Sequence, residues 1–258
     1  MPIHLAGYSA SIDSGGAFTA VTPLADSMLF IQGSNIRVPS TVPQLIAVAG
    51  GADGVVVPRW RLTSPSLIAR GRPEVKPLSV TNAAAVEPDS PQPIMDMRTN
   101  PLVLIPDELL FAELNNNPAA VQIQWLLAWF ADGSPTPVTG AEVRRSRWTS
   151  TTAAVANTWT PVVCTPDDNL QPGQYAVIGL RPMSTTMVAA RFVFQTDPLH
   201  RPGALGCDVA QDVQHPMFRN GELGVWGTFP FTQLPVIEVL CTTTDATQEF
   251  EVDLVKIG

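Results

Sequence analysis

Apolar and polar positions alternate along most of this chain, in short runs. "AVQIQWLLAWF" alternates at Val121, Ile123 and Trp125, then turns continuously apolar. "GVVVPRWRLTSPS" sets Trp60 and Leu62 against Arg59 and Arg61. "DSMLFIQG", "NIRVPS" and "NPLVLIP" are short runs bounded by turn residues. The second half adds "AEVRRSRWTSTT", "TWTPVVCT", "GQYAVIGLRP", "MVAARFVFQ", "PVIEVLC" and "EFEVDLVKI". A period of two sends successive side chains to opposite faces, as in a half-buried strand. Roughly eleven to fourteen strands are predicted, at the close spacing of sandwiches and jelly rolls. Helical periodicity is scarce. "STVPQLIAVAGG" (Ser40–Gly51) is the best helical candidate, though Pro43 interrupts it; "PDELLFAEL" (Pro106–Leu114) reads as strand or helix.

Two stretches share a form. Leu109–Gly133, "LLFAELNNNPAAVQIQWLLAWFADG", and Pro235–Gly258, "PVIEVLCTTTDATQEFEVDLVKIG", each run from an apolar segment through a polar tip into an alternating segment that stops at Gly. Each reads as a closing hairpin. Aligned by their last strands, Ile123 matches Phe250, Gln124 matches Glu251, Trp125 matches Val252 and Leu127 matches Leu254. A long excursion precedes each, Val80–Pro101 in the first half and Gln195–Gly224 in the second. Loops of that length are commonly functional or interfacial, and both are expected to make contacts between subunits. Any two β-hairpins share some of these features. The sharper reading is a tandem duplication joined near Ser134, giving sandwiches over residues 1–133 and 134–258. The fold class is all-β, as two tandem antiparallel sandwiches of jelly-roll type, with one elaborated jelly roll as the alternative.

Composition narrows the function. The 258 residues suffice for one large β domain or two small ones. Only 15% are charged, against an ordinary share of about 25%, so much of the surface is neutral or covered by partners. A net charge of −8 argues against general nucleic-acid binding over the whole surface. The N-terminus "MPIHLAGYSA" lacks the basic and apolar segments of a secretory signal. No apolar run nears the roughly 20 residues that span a bilayer, so the reading is a soluble protein made in the cytoplasm. Cys164, Cys207 and Cys241 are odd in number and far apart, which points to free thiols rather than a disulfide framework. Cys164 and Cys241 are expected in buried strand positions, and Cys207 in an accessible loop.

Two β-sandwiches in tandem, each with a long excursion before its final hairpin, resemble the double jelly-roll major capsid proteins of tailless icosahedral viruses. The resemblance rests on strand count, length and the paired closing hairpins, and the chain is near the small end of that family. It implies a virion protein without enzymatic activity or cofactor. Its partners would be copies of itself, as homotrimers of pseudo-sixfold outline that tile an icosahedral shell, together with minor capsid proteins. The alternative is a β-sandwich binding module, lectin-like or receptor-binding.

Catalytic chemistry finds little footing. The chain contains no GxSxG, HExxH, P-loop or GxGxxG. His200, Cys207, Asp208, Asp212 and His215 lie in one loop, but their spacing is irregular for zinc; a plain polar loop is the simpler reading. Glu108 with Glu113, or Asp167 with Asp168, are carboxylate pairs that nothing fixes across a cleft. The densest basic patch is "RRSRW". Arg144, Arg145 and Arg147 are the candidate contact with packaged nucleic acid or with acidic neighbours. The plainer reading is a solvated strand face balanced by carboxylates.

Overall fold

The structure, a computed structural model, describes residues 2–26, 30–33, 35–53, 59–69, 80–82, 94–115, 123–207 and 214–258. The chain is nearly all β and separates into two compact units. One ends at Ser134; the other begins at Pro135 and includes the extreme N-terminus.

The first unit holds β1 (Ile3–Ser11) from Leu5 onward, β2 (Thr19–Ala20), β3 (Phe30–Gln32), β4 (Asn35–Arg37), β5 (Gln44–Asp53) and β6 (Arg59–Thr63). After helix α1 (Pro65–Ala69) come β7 (Val80–Asn82), β8 (Met95–Asp96), β9 (Leu102–Val103), β10 (Leu109–Asn115) and β11 (Ile123–Ala131). One sheet runs β1-β11-β5, with β7, β8 and β9 in a row along the free side of β5. In the other, β10 has β6 on one side and β2 and β4 on the other, with β3 beyond β4. Inward residues of both sheets make one core: Tyr8, Leu45, Val48, Leu126, Ala128 and Phe130 against Ile36, Trp60, Leu62, Leu110 and Leu114. The Tyr8 hydroxyl donates to the Leu110 carbonyl at 2.9 Å and ties the sheets together.

The second unit holds β12 (Arg144–Ser150), β13 (Thr160–Val162), β14 (Thr165–Pro166), β15 (Gln174–Met183) and β16 (Met187–Val193). It continues with β17 (Gly203–Leu205), β18 (Gly227–Pro230), β19 (Val236–Cys241) and β20 (Gln248–Lys256). Its sheets are β14-β12-β20-β15-β18 and β13-β19-β16-β17. The core is aromatic. Trp148 meets Phe192 of the opposite sheet edge-on at 6.3 Å and Phe229 at 6.0 Å, and Tyr175 stacks on Phe229 at 5.8 Å. Offset and edge-on rings of this kind add to the area they bury.

Each unit therefore closes in the same way. Its last strand lies between its first strand and a long middle strand, and its penultimate strand is the centre of the other sheet. The two closing segments are not hairpins: β10 and β11 belong to opposite sheets, as do β19 and β20. The proposed alignment slips as well. The inward residues of β11 are Leu126, Ala128 and Phe130, whereas Trp125 and Leu127 are buried on the other face. A bulge supplies a better anchor. In the β5–β11 pair Ile46 is the extra residue, because Trp129 faces Ala47 and Phe130 faces Leu45. In the β15–β20 pair Ile178 is extra, because Leu254 faces Val177 and Asp253 faces Gly179. Phe130 then corresponds to Leu254, and Ala128 to Val252.

The bulges also place the excursions. The Met97 N–H donates to the Ile46 carbonyl at 2.8 Å, and the Gly221 N–H donates to the Ile178 carbonyl at 2.9 Å. The described part of each excursion, for which contacts between subunits are expected, thus docks on its own unit through the carbonyl that a bulge turns out of the ladder. Ile94 is buried, and Met95 and Met97 pack on the first core. Leu205, Met217 and Phe218 are buried in the second unit, and β17 itself is part of the excursion. Residues 83–93 and 208–213 of the two excursions lie outside the described residues.

Both helical candidates are strands. Ser40–Gly51 contains most of β5, which pairs with β11 along its length and is buried on both faces from Leu45 to Ala52. A strand covered on both sides loses its alternation. Pro106–Leu114 leads into β10. Among the described residues there is one α-helix, α1, whose first two residues end the run "GVVVPRWRLTSPS"; Ser64 caps it, its hydroxyl accepting from Leu67 N–H at 3.4 Å.

Candidate functional site

The richest assembly of charge lies on the outer face of the β12-β20-β15 sheet. In β12, Ser146, Trp148 and Ser150 point into the core. Arg145 and Arg147 therefore point out. Register sets Arg145 opposite Asp253 and Arg147 opposite Glu251 in β20, with Arg181 of β15 beyond Glu251. Opposite charges on facing strands stabilise the pairing.

At the centre is Asp253, whose side chain is fully buried. Arg219 grips it with two hydrogen bonds, Nε to Oδ2 and Nη2 to Oδ1, each 2.9 Å. The Asn220 N–H adds a third bond at 2.8 Å. Arg219 also reaches Glu251 at 3.0 Å. Burial pushes the Asp253 carboxyl up, but the bonds from Arg219 and Asn220 outweigh it and hold it below its ordinary value.

Arg219 arrives from above the sheet, on the turn that follows the 3-10 segment Pro216–Phe218. Asn220 and Gly221 take left-handed φ of 53° and 77° to bring it there. Gly179 makes the approach feasible. A Cβ on it would lie 2.6 Å from Asp253 Oδ2 and 2.8 Å from the Phe218 carbonyl.

The three arginines singled out in the sequence are therefore each beside a carboxylate. Arg147 contacts Glu249 at 2.7 Å and Asp167 at 3.6 Å. The bond and charge of Glu249 raise its guanidinium further above the ordinary value. Arg144 lies 3.6 Å from Asp168 and bonds the Asn169 carbonyl at 3.4 Å. Arg145 lies 3.5 Å from Asp253 and donates to Asn220 Oδ1 at 3.3 Å. Asp167 and Asp168 thus serve as partners to the basic strand.

The other candidates have structural partners. Glu108 accepts from Ser66 N–H at 2.9 Å, Ser66 Oγ at 2.5 Å and Ile105 N–H at 2.9 Å, and so anchors α1. Glu113 pairs with Arg61 across β10 and β6 at 2.5 Å. His200 Nδ1 is 2.8 Å from Asp197, the Cys207 thiol donates to Gln214 Oε1 at 2.8 Å, and His215 Nδ1 caps the Met217 N–H at 3.3 Å. Asp208 and Asp212 lie outside the described residues, and no group of metal-ligand side chains converges among the described ones.

Sequence reading missed a second charged group. Arg191 of β16, only 2% exposed, pairs with Glu238 of β19 at 2.7 Å and stacks over Trp159 at 4.2 Å; Arg201 lies 4.0 Å from the same Glu238. A lone charge inside each of the apolar runs "MVAARFVFQ" and "PVIEVLC" was the available signal. Likewise Asp253 stands between two apolar residues in β20.

No family profile matches this chain, and neither the curated proteins nor the solved structures include a significant match to it. Among the described residues, no helix is long and apolar enough to cross a membrane.

Proposed function

We propose that this chain is a capsid subunit built of two jelly rolls in tandem, over residues 1–133 and 134–258, which assembles through homotrimers into the icosahedral shell of a virion. The observation that carries the reading is the repeated strand order. β1-β11-β5 in the first unit corresponds to β12-β20-β15 in the second, and β2-β10-β6 corresponds to β13-β19-β16. β18 takes the fourth place in the second unit, where β7, β8 and β9 stand in the first. The paired bulges at Ile46 and Ile178, each receiving an N–H from the excursion, support common descent of the halves. Two four-stranded sheets joined by such crossovers are the jelly-roll plan of many capsid domains. A fold hosts many functions, so the deciding measurement is assembly. Sedimentation and electron microscopy of the purified chain are expected to find trimers or closed particles. A chain that stays monomeric at every concentration would instead favour the binding-module reading.

A further inference from the structure

We infer that Asn220 is a site of spontaneous modification: it closes onto Gly221 as a succinimide, at a rate set by how often the Arg219 turn opens from the sheet. The inference does not depend on the assembly reading. Asn220–Gly221 is the only Asn-Gly step in the chain. An asparagine reacts with its own backbone when the next nitrogen reaches its side-chain amide carbon, and glycine has no Cβ to hinder that approach. Asn220 is exposed, so water reaches the amide and ammonia can leave.

The step needs no reagent but water. The Gly221 nitrogen loses its proton to hydroxide, bonds to Asn220 Cγ and expels the side-chain nitrogen as ammonia. Water then opens the ring at either carbonyl. One product is an aspartate; the other is an isoaspartyl linkage, in which the chain runs through the former side chain.

In the closed turn the reacting nitrogen is engaged. The Gly221 N–H donates to the bulged Ile178 carbonyl at 2.9 Å, and the Gly221 carbonyl accepts from the Val138 N–H at 2.9 Å. The Asn220 N–H is committed to Asp253 at 2.8 Å, and Asn220 Oδ1 accepts from Arg145 at 3.3 Å. Arg219, one residue earlier, adds its two bonds to Asp253. The Gly221 proton is not released to water while the Ile178 carbonyl holds it, so reaction proceeds from the locally opened turn. Asp253 is therefore the latch on the reaction. The isoaspartyl product keeps the turn open, because it adds a carbon to the backbone between Asn220 and Gly221. The donors of Arg219, Asn220 and Gly221 then no longer converge on Asp253 and Ile178, and the excursion Gln195–Gly224 loses its attachment at the bulge.

The test incubates the full chain at mildly alkaline pH and follows every asparagine by peptide mass spectrometry, with chromatography to separate isoaspartyl from aspartyl peptides. The parent is compared folded and in denaturant, beside Asp253→Asn and the control Asn220→Gln. In denaturant Asn220 should be the first asparagine converted. In the folded parent its conversion should be slower by about tenfold or more, and Asp253→Asn should recover much of that loss. Should Asp253→Asn fail to fold, the parent at denaturant concentrations below its unfolding transition serves instead: conversion at Asn220 should rise in step with exchange of the Gly221 amide. Another asparagine converting first in denaturant overturns the site. Equal rates in the folded and denatured parent overturn the latch, as does a folded Asp253→Asn that converts no faster than the parent. Isoaspartyl chains, separated from unmodified ones, should exchange the Gly221 amide about tenfold faster or more; unchanged exchange overturns the release of the excursion.

Discussion

Asp253 illustrates how much one residue holds in place. Its carboxylate joins β20 to the turn carrying Arg219, beneath which the sheet bulges. Removing one member of a buried charge pair strands the other. Asp253→Ala is therefore expected to cost about 3 kcal/mol, read by denaturant unfolding. Its folded pKa lies below the unfolded value of about 3.9. The contribution is thus complete above that value and is lost as pH falls toward the folded one. Asp245 behaves alike: burial raises it, and hydrogen bonds from Ser184, Thr247 and Thr186 lower it further. Acid unfolding of the parent should begin near pH 4, and Asp253→Ala should show a shallower pH dependence. An identical pH dependence would contradict the assignment. The thiols give a second residue-level test. Cys207, expected in an accessible loop, is 3% exposed, and Cys241 is buried at the end of β19; Cys164 is half-buried in the link between β13 and β14 rather than in a strand. Burial pushes the Cys164 and Cys241 thiols up to about 12. At pH 8 a thiol reagent should label the folded chain slowly, Cys164 ahead of the others and faster as pH rises. Rapid labelling of Cys207 would show that its burial is wrong.

Among the elements, strands with one solvated face were readable from alternation; of those covered on both faces, β11, β15 and β16 were read from their apolar, partly β-branched and aromatic runs, and β5 was not. β12 and β20 alternate cleanly, because charged residues on one side face water and aromatic or aliphatic ones fill the core. β5 offers no alternation, and its alanines and glycines imitate a helix. Gly50 is small because Trp60 of the opposite sheet lies against it; a Cβ there would sit 3.0 Å from the indole. The false hairpins have a related cause. Periodicity shows that two strands succeed one another, but a strand pair within a sheet and a crossover between sheets have the same pattern. The bulges were invisible for the same reason, since an extra isoleucine in an apolar run changes nothing local. The charged partners were half legible: Arg144, Arg145 and Arg147 stood out as a cluster, while Arg219 and Asp253 are distant in sequence. Gly179 tests the bulge. Gly179→Ala drives a methyl group into Asp253 and the turn above it, at an expected cost of about 1–3 kcal/mol. Amide exchange should rise at Arg219–Gly221 before it rises in β12. Unchanged stability would mean that the turn yields without strain.

At the scale of the whole molecule, the two segments that suggested duplication occupy equivalent places in the two strand orders, but not through the residues first matched. The matched apolar-polar-apolar outline was real, but the three-residue slip between Ile123 and Leu126 as the partner of Phe250 is undetectable without the ladder. A subunit stabilised by its neighbours should melt higher as its concentration rises, because association draws on the folded state alone. A melting temperature independent of concentration over the range where particles form would argue against assembly as a source of stability. The placement of the last strand in each unit also bears on how the chain is made. β11 and β20 are central strands, each joining a first strand to a middle strand that cannot pair without it. During synthesis the first unit can close once Ala131 has emerged. The second must wait for Gln248–Lys256, with β12 and β15 made long before and their facing edges open. A stalled or shortened product ending before Gln248 would thus carry one finished sandwich and one with two unpaired edges, the kind of surface that joins to other chains.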